Sequence, residues 1–165
     1  MRVKDVMKID VGFCTTEDSL KKAAETMRFR DCGVVPIVDA ESRVVGMLTD
    51  RDICLAVAAR NRKASDVKTK ELINGEAITC LPDDKVKDAL KKMRKCQVKR
   101  LAAIGENGEL VGILSVSDIL LAVRKNKKLK KKIYSTLKAI SKPRAIVLRE
   151  IDSSAPRVNA SEKTA

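Results

Sequence analysis

A hydroxyl residue followed three positions later by an aspartate occurs at two equivalent places, as Thr49 with Asp52 and as Ser115 with Asp118. Each pair follows a short apolar run and precedes a helical pattern, which predicts a strand that passes into a helix. The N–H groups at such a helix start suit a phosphate, and a carboxylate one turn later can accept hydrogen bonds from a ribose diol. The same residue types at this spacing also form a helix-capping box, so the pattern alone leaves both interpretations open.

Two glycines lie on the strands just before these pairs, Gly46 before Thr49 and Gly112 before Ser115. A glycine in a strand leaves room for a close neighbour, so we expect a flat base to approach the backbone there. Two such sites, related by pseudo-symmetry, are expected to face one another across a cleft.

Groups for catalysis are scarce in this chain. It contains no histidine, which is the commonest general base, and none of its five cysteines forms a CxxC pair. No residue near these cysteines resembles an activating partner, and zinc ligation would need widely scattered thiolates. We therefore expect small buried cysteines, no metal centre and no enzymatic activity.

The phrases "VVGMLTDRDI" and "LVGILSVSDI" belong to an internal repeat, because a shift of 66 aligns residues 14–58 with residues 80–124 without a gap. In each copy the apolar spacing predicts the order strand, helix, strand, strand, helix. One unit of this size has a marginal core, so two copies are expected to bury each other's apolar faces. We therefore predict an α/β fold of two pseudo-symmetric β-α-β-β-α repeats packed together.

The expected units are a first repeat at residues 1–62, a second at 63–124, a basic C-terminal extension at 125–151 and a disordered tail at 152–165. The linker sequence "SDVK" echoes "KDVM" at residues 4–7, but with five additional residues before the register resumes. We expect each copy to begin with a short lead-in of this kind that packs across the module.

The helices of each copy show different apolar patterns. Helical spacing places four residues of the first helix on one buried face: Leu20, Ala23, Ala24 and Met27. The last helices, in "DICLAVAA" and "DILLAVRK", are apolar nearly all round at their start. We therefore expect another element to bury them.

Three segments, "GVVPIVD" (33–39), "RVVGMLTDRDI" (43–53) and "KRLAAIGENGELVGILSVSDI" (99–119), resemble the cystathionine-β-synthase (CBS) domain. Over roughly residues 1–124 the chain is similar to a stand-alone tandem CBS pair, often called a Bateman module. The resemblance implies an α/β fold whose helices form a dimer face, and hence a homodimer. It also implies clefts between the repeats that bind an adenine nucleotide (AMP, ADP or ATP) or S-adenosylmethionine.

The resemblance also implies roles for particular residues. By the family pattern the hydroxyl residue contacts phosphate and the acid holds the ribose, which selects Thr49, Asp52, Ser115 and Asp118. In some nucleotide-binding members, such as the γ subunit of AMP-activated protein kinase, a basic pair before the middle strand reaches phosphates, and Lys99 and Arg100 match it. The pattern does not assign Arg100 to one of the two clefts. Pro36 matches the usual proline of that strand, whereas Ala102 replaces it in the second copy.

Positive charge is concentrated at the C-terminal end, where residues 124–165 hold 13 Lys/Arg against 3 Asp/Glu. Residues 123–144 contain ten Lys/Arg, no acid and a sparse apolar stripe, which predicts that a basic amphipathic segment extends the last helix as far as Pro143. Residues 145–151 alternate enough for a short strand or extended arm. A nucleic acid, an acidic membrane surface or an acidic protein is a candidate partner for residues 124–144.

Two main functions stay open at this point, beside a purely structural interaction module with degenerate pockets. The first is a non-catalytic regulatory sensor that binds an adenosyl ligand and transmits its occupancy to an unidentified regulated protein. The alternative is a nucleic-acid-binding or protein-interaction adaptor that uses the basic segment, with the CBS pair as a dimeriser. Aromatic residues make up only 2%, so stacking platforms for single strands are not expected. No apolar run is long enough to span a bilayer and "MRVKDVMKID" lacks a hydrophobic signal region, which favours a cytoplasmic protein.

Overall fold

The computed structural model describes residues 1–73, 75–123 and 126–143. The predictions of a strand or arm at 145–151 and of a disordered tail at 152–165 lie outside these residues. Within the described part, no helix combines the length and the apolar character that crossing a membrane requires.

The same five elements occur in the same order in both copies. The first copy contains β1 (Cys14–Thr15), α1 (Leu20–Phe29), β2 (Val34–Val38), β3 (Val44–Thr49) and α2 (Asp50–Arg60). The second copy contains β4 (Thr79–Cys80), α3 (Val86–Cys96), β5 (Arg100–Ile104), β6 (Leu110–Ser115) and α4 (Val116–Ala122). A further helix, α5 (Lys127–Ile140), follows the second copy.

Each copy forms a three-stranded sheet with the same pairing. β2 lies between β1 and β3, parallel to β1 and antiparallel to β3, and β5 holds the same place between β4 and β6. The registers are equivalent too, since Val34 pairs with Thr49 and Arg100 pairs with Ser115. The predicted α/β fold of two β-α-β-β-α repeats is therefore confirmed.

α5 is a separate helix and not the predicted extension of α4. α4 ends at Ala122, and α5 begins after Asn126, whose side-chain oxygen accepts a hydrogen bond from the Leu129 N–H at 3.0 Å. This N-cap starts a new helix, which packs against α3 and α4. α5 ends at Ile140, shortly before Pro143. A proline disfavours helical backbone at the residue before it, here Lys142, so the helix cannot continue past this point.

The packing of α5 makes one face of the second copy different from the first. Thr136 Oγ1 donates to the Leu90 carbonyl oxygen at 3.3 Å, and Ile133 is buried in the core of the second copy. Leu90 is consequently buried, whereas Ala24, at the equivalent position in α1, is exposed. The prediction that α1 buries Ala24 is wrong, because α5 covers only the second copy. The other residues of the predicted face are buried: Leu20, Ala23 and Met27.

The lead-ins that precede the two copies are exchanged between them. They are two 3₁₀ turns, Val3–Asp5 and Thr69–Leu72. Val3 is buried in the core of the second copy, and its N–H donates to the Asp84 carbonyl oxygen at 2.9 Å. Thr69 is buried against the first copy, and its N–H donates to the Asp18 carbonyl oxygen at 2.9 Å. The predicted packing of the lead-ins across the module is confirmed, and each copy is completed by the lead-in of the other.

The two lead-ins match at the same shift of 66 as the rest of the repeat, so the expected offset of five residues is wrong. Lys4 forms an ion pair with Asp83 at 2.8 Å, and Lys70 forms the equivalent pair with Glu17 at 2.8 Å. The hydrogen bond from each lysine lowers the pKa of its partner carboxyl. The equivalence escapes a comparison of identities because "RVKDVM" and "KTKELI" share a single identical residue, Lys4 with Lys70.

The helices α2 and α4 are buried on one face only. Ile53 and Ile119 lie in the two cores, but Leu55, Leu120 and Leu121 are 53%, 48% and 81% exposed. The expectation that other elements bury these helices is therefore met only in part within the described chain. The predicted homodimer stays a prediction, and these leucines are the apolar surface that it would use.

Replacing Val3 with alanine should destabilise the fold, because this lead-in residue is buried in the other copy. We expect Val3→Ala to lower the free energy of unfolding by roughly 2 kcal/mol, from about 0.8 kcal/mol per buried carbon group plus the cavity left behind. Ile9 is 76% exposed and provides the control, since Ile9→Ala should change the free energy by less than about 0.5 kcal/mol. Urea denaturation measures both variants, and equal effects would contradict the exchange of lead-ins.

Candidate functional site

A cleft of about 960 Å³ lies between the two copies, where β3 passes into α2. This volume is in the range of small-molecule sites. The lining residues come from both copies, from the segment that joins them and from the C-terminal end of α5. They include Gly46, Thr49, Asp52, Ile78, Lys99 and Arg100.

Thr49 and Asp52 form the N-terminal cap of α2 on the wall of this cleft. The Thr49 N–H and Oγ1–H both donate to Asp52 Oδ2, at 2.9 and 2.6 Å, and the Asp52 N–H donates to Thr49 Oγ1 at 3.2 Å. The capping interpretation of the motif is therefore confirmed. The Asp52 side chain is exposed, and in the described part of the chain its Oδ1 accepts no hydrogen bond. That oxygen is open to a hydroxyl group of a ligand in the cleft.

Ser115 and Asp118 repeat the capping geometry at the start of α4. The Ser115 N–H and Oγ–H donate to Asp118 Oδ2 at 2.9 and 2.5 Å, and the Asp118 N–H donates to Ser115 Oγ at 3.0 Å. The Asp118 side chain is only 14% exposed, and its Oδ1 lies 3.9 Å from the Lys8 ammonium nitrogen. Neither residue lines the cleft that contains Thr49 and Asp52. The structure thus distinguishes two pairs that the sequence treats as equivalent.

Gly46 and Gly112 both face an exchanged lead-in or the residues that follow it. A Cβ on Gly112 would lie 2.7 Å from the Lys8 carbonyl oxygen, because Lys8 pairs with Ile113 through two backbone hydrogen bonds of 2.9 Å. A Cβ on Gly46 would lie 3.2 Å from Ile73 Cγ1. The glycines therefore admit neighbouring chain segments in this structure, and of the two only Gly46 also lines the cleft.

Lys99 and Arg100, at the start of β5 in the second copy, line the same cleft as Thr49 and Asp52 of the first. The sequence alone does not assign Arg100 to a cleft, whereas the structure places it on the cleft that Thr49 and Asp52 also line. Pairing of Arg100 with Ser115 in the sheet fixes the backbone of this basic pair at the boundary between the copies.

Pro36 lies away from the cleft, although the sequence selects it as a ligand-binding residue. It is buried in the middle of β2, where it pairs with Met47 of β3. Its position in the described structure is therefore within the sheet, and it is not among the residues that line the cleft.

Four residues that the sequence does not select line the cleft at the end near α5: Gln97, Ile140, Lys142 and Pro143. Gln97 follows α3 in the left-handed region, with φ of 51°, which no periodicity in the sequence predicts. Lys142 lies within the basic run, but composition alone does not indicate which of its lysines is near a ligand site. The folding of α5 onto α3 is what brings the last three of these residues to the cleft.

The cleft carries charges of both signs. Among its described lining residues, four are cationic and three are acidic. The cations come from three parts of the chain: Arg51 in α2, Lys99 and Arg100 at the start of β5, and Lys142 after α5. Such an arrangement suits a ligand with an anionic group, which the cations bind, and with hydroxyl groups, which donate hydrogen bonds to a carboxylate.

Two buried cysteines have thiols that resist ionisation. Burial raises the pKa of the Cys80 thiol to about 11, and burial followed by the Asp18 carboxylate raises the pKa of Cys14. A thiol with a raised pKa is protonated at neutral pH and is a poor nucleophile. The described residues also contain no group of three or more His, Cys, Asp or Glu residues that could hold a metal ion.

Comparison with known proteins identifies the repeated unit. A family model described as the CBS domain matches residues 3–59 and, again, residues 64–125. The CBS domain-containing protein YhcV of Bacillus subtilis is 33% identical over 121 residues, which cover 71% of this chain and 81% of that protein. Hypoxic response protein 1 of Mycobacterium tuberculosis is 30% identical over 143 residues, which cover 87% of this chain and 96% of that protein.

Solved structures share the fold. The crystal structure of Hypoxic Response Protein I with two coordinated zinc ions matches with a TM-score of 0.69 at 30% identity, over 75% of this chain and 100% of that chain. The CBS domain pair of protein MJ0100, in complex with 5′-methylthioadenosine and S-adenosyl-L-methionine, matches with a TM-score of 0.66 at 25% identity, over 74% and 98% of the two chains. The predicted resemblance to a tandem CBS pair is therefore confirmed.

Removing either capping hydroxyl should destabilise the protein in the absence of any ligand. We expect Thr49→Ala and Ser115→Ala each to lower the free energy of unfolding by about 1 kcal/mol, because each leaves a helix start without its side-chain cap. Ser117→Ala, at an exposed position in α4, is the control and should have little effect. Thermal or urea unfolding without ligand provides the comparison, and capping variants as stable as the control would refute this role.

Proposed function

Because the chain belongs to the CBS domain family, with two copies of the domain, we propose that it is a non-catalytic regulatory module that binds an adenosyl ligand between the copies. The observation that carries the proposal is the convergence of Thr49 and Asp52 from the first copy with Lys99 and Arg100 from the second on one cleft. These are the two kinds of group that a nucleotide requires, a carboxylate for its ribose and cations for its phosphates.

Each part of a nucleotide has a suitable partner in the cleft. Asp52 Oδ1 accepts a hydrogen bond from the ribose, while Asp52 Oδ2 keeps capping α2, so capping and binding are compatible roles. Lys99 and Arg100 receive the phosphates, whereas the Thr49 hydroxyl keeps its hydrogen bond to Asp52 and acts through the cap. Ile73 and Ile78 offer apolar surface to the adenine ring.

Among adenosyl ligands, the charges of the cleft favour AMP, ADP or ATP over S-adenosylmethionine. Lys99 and Arg100 attract a phosphate, whereas they repel the positively charged sulfonium centre of S-adenosylmethionine. The complex of the MJ0100 pair with 5′-methylthioadenosine and S-adenosyl-L-methionine supports the adenosyl part of the proposal. The preference for a phosphorylated ligand is argued from Lys99 and Arg100 of this chain and not from the ligands of the MJ0100 pair.

Occupancy of the cleft is passed to a partner protein, and a homodimer is the proposed form of the module. The exposed leucines of α2 and α4 supply an apolar surface for a second copy: Leu55, Leu120 and Leu121. In the proposed dimer the same surface of each module contacts the other, which is the arrangement of a twofold-symmetric dimer.

Two substitutions separate ribose recognition from phosphate recognition. Asp52→Ala should weaken adenosine, AMP and ATP alike by roughly tenfold to a hundredfold, because charge-assisted hydrogen bonds contribute about 1.5–3 kcal/mol. Arg100→Ala should weaken AMP and ATP by a similar factor and leave adenosine unchanged, since adenosine has no phosphate. Titration calorimetry with the three ligands measures all of these affinities.

The matched control for this experiment is Asp118→Ala, which removes the equivalent cap in the second copy but does not line the cleft. It should retain the nucleotide affinity of the parent within about twofold. If the parent binds none of the three ligands, or if both cleft variants bind them as the parent does, the proposed function is wrong.

A second candidate function rests on the basic surface that α3 and α5 form together. The two helices pack side by side and expose cations on the same part of the molecule: Lys87, Lys91, Lys92, Arg94, Lys95, Lys127, Lys128, Lys130, Lys131, Lys132 and Lys138. Among the described residues of these two helices, Asp88 is the single acidic residue. Such a surface fits the phosphates of a nucleic-acid duplex, where affinity comes from charge rather than from aromatic stacking.

Salt dependence tests this candidate. The triple variant Lys130→Gln, Lys131→Gln, Lys132→Gln should bind duplex DNA or RNA more weakly and reduce the slope of log affinity against log salt by about 0.9 per lost phosphate contact. A charge-matched control on α1 replaces three exposed cations with glutamine: Lys21, Lys22 and Arg28. Absence of duplex binding by the parent, or an equal loss in the control, excludes a specific role for the α3 and α5 surface.

A further inference from the structure

One wall of the cleft comes from outside the two CBS domains. The family model ends at residue 125, whereas Ile140, Lys142 and Pro143 line the cleft together with Thr49. The C-terminal end of α5 is therefore part of the ligand site, although α5 follows the repeat and has no counterpart in the first copy.

Two hydrogen bonds and a buried side chain hold α5 in this place. Gln97 Nε2 donates to the Ala139 carbonyl oxygen at 3.1 Å, and Thr136 Oγ1 donates to the Leu90 carbonyl oxygen at 3.3 Å. Ile133 is 2% exposed in the core of the second copy. Gln97 itself lines the cleft and stands just before the basic pair in the chain, so the end of α5 and that pair meet at one corner.

The electrostatics of this corner are unusual for a phosphate site. The last carbonyl groups of α5 carry the negative end of the helix dipole, which disfavours a phosphate nearby. The Gln97 amide covers one of these carbonyls, and Lys142 places a positive charge directly after the helix. With Lys99 and Arg100 on the adjacent wall, Lys142 converts an unfavourable helix end into a favourable surface for an anion.

We propose that Lys142 is the third cation of a phosphate subsite with Lys99 and Arg100, and that a phosphorylated ligand thereby holds the C-terminal end of α5 against the cleft. This inference rests on the proposed nucleotide function and adds the element that senses the ligand. Ligands with more phosphates engage Lys142 more strongly, whereas adenosine does not engage it. α5 is then the part of the molecule through which the state of the cleft reaches the C-terminal segment.

Calorimetry with adenosine, AMP and ATP on full-length Lys142→Ala tests the subsite. We expect adenosine affinity within twofold of the parent and ATP affinity reduced about fivefold to tenfold, with the difference shrinking at high salt because the contact is partly exposed. Lys138→Ala is the matched control, since Lys138 is an exposed lysine of α5 that does not line the cleft. Equal ATP affinity of Lys142→Ala and the parent, or an equal loss in the control, overturns the inference.

Amide hydrogen exchange gives a second measure that does not depend on affinity. Saturating ATP should slow exchange at residues 136–140 of the parent, and saturating adenosine should not. In Lys142→Ala, ATP should leave these amides unchanged. If nucleotides bind in a manner that depends on Asp52 but neither measurement responds to Lys142, the inference fails while the proposed function stands. If the parent binds no nucleotide, both fail.

Discussion

The exchange of lead-ins is the constraint on which the rest of the structure depends. Each copy has a small sheet and two helices, and its core is completed by a turn that belongs in sequence to the other copy. Val3 closes the second copy and Thr69 closes the first, with ion pairs on the rim at equivalent positions. Separating the copies would expose apolar residues of both cores at once, so we expect the pair to unfold as one unit, because each half alone has a marginal core.

This interlocking fixes the walls of the cleft relative to one another. The strand that ends at Thr49 and the strand that begins at Arg100 belong to different copies, and the packing of the two copies brings both strands to one cleft. The capping box holds the Asp52 side chain by two hydrogen bonds in the structure without ligand, which would lower the entropy cost of binding the proposed nucleotide. α5 is packed onto only one copy, so the internal symmetry is broken at the place where the cleft meets the C-terminal segment.

Much of the fold could be predicted because the repeat states the same pattern twice. The strand and helix order, the caps at Asp52 and Asp118 and the crossing of the lead-ins all follow from local patterns that appear at a fixed shift. The register of the lead-ins could not be derived from identities, because Arg2–Met7 and Lys68–Ile73 share a single identical residue, Lys4 with Lys70. The exposure of Ala24 could not be predicted from local periodicity either, because it differs from the equivalent Leu90 through the packing of α5 on the second copy.

The candidate site was predicted in its parts but not in its arrangement. Sequence patterns selected Asp52 and the basic pair separately, and tertiary packing alone decides that they share a cleft. A crystal structure of the chain with AMP tests this arrangement most directly. We expect the ribose within hydrogen-bond distance of Asp52 and the phosphate beside Lys99 and Arg100. AMP bound only against Ser115 and Asp118, with the first cleft lacking ligand at saturating AMP, would contradict it.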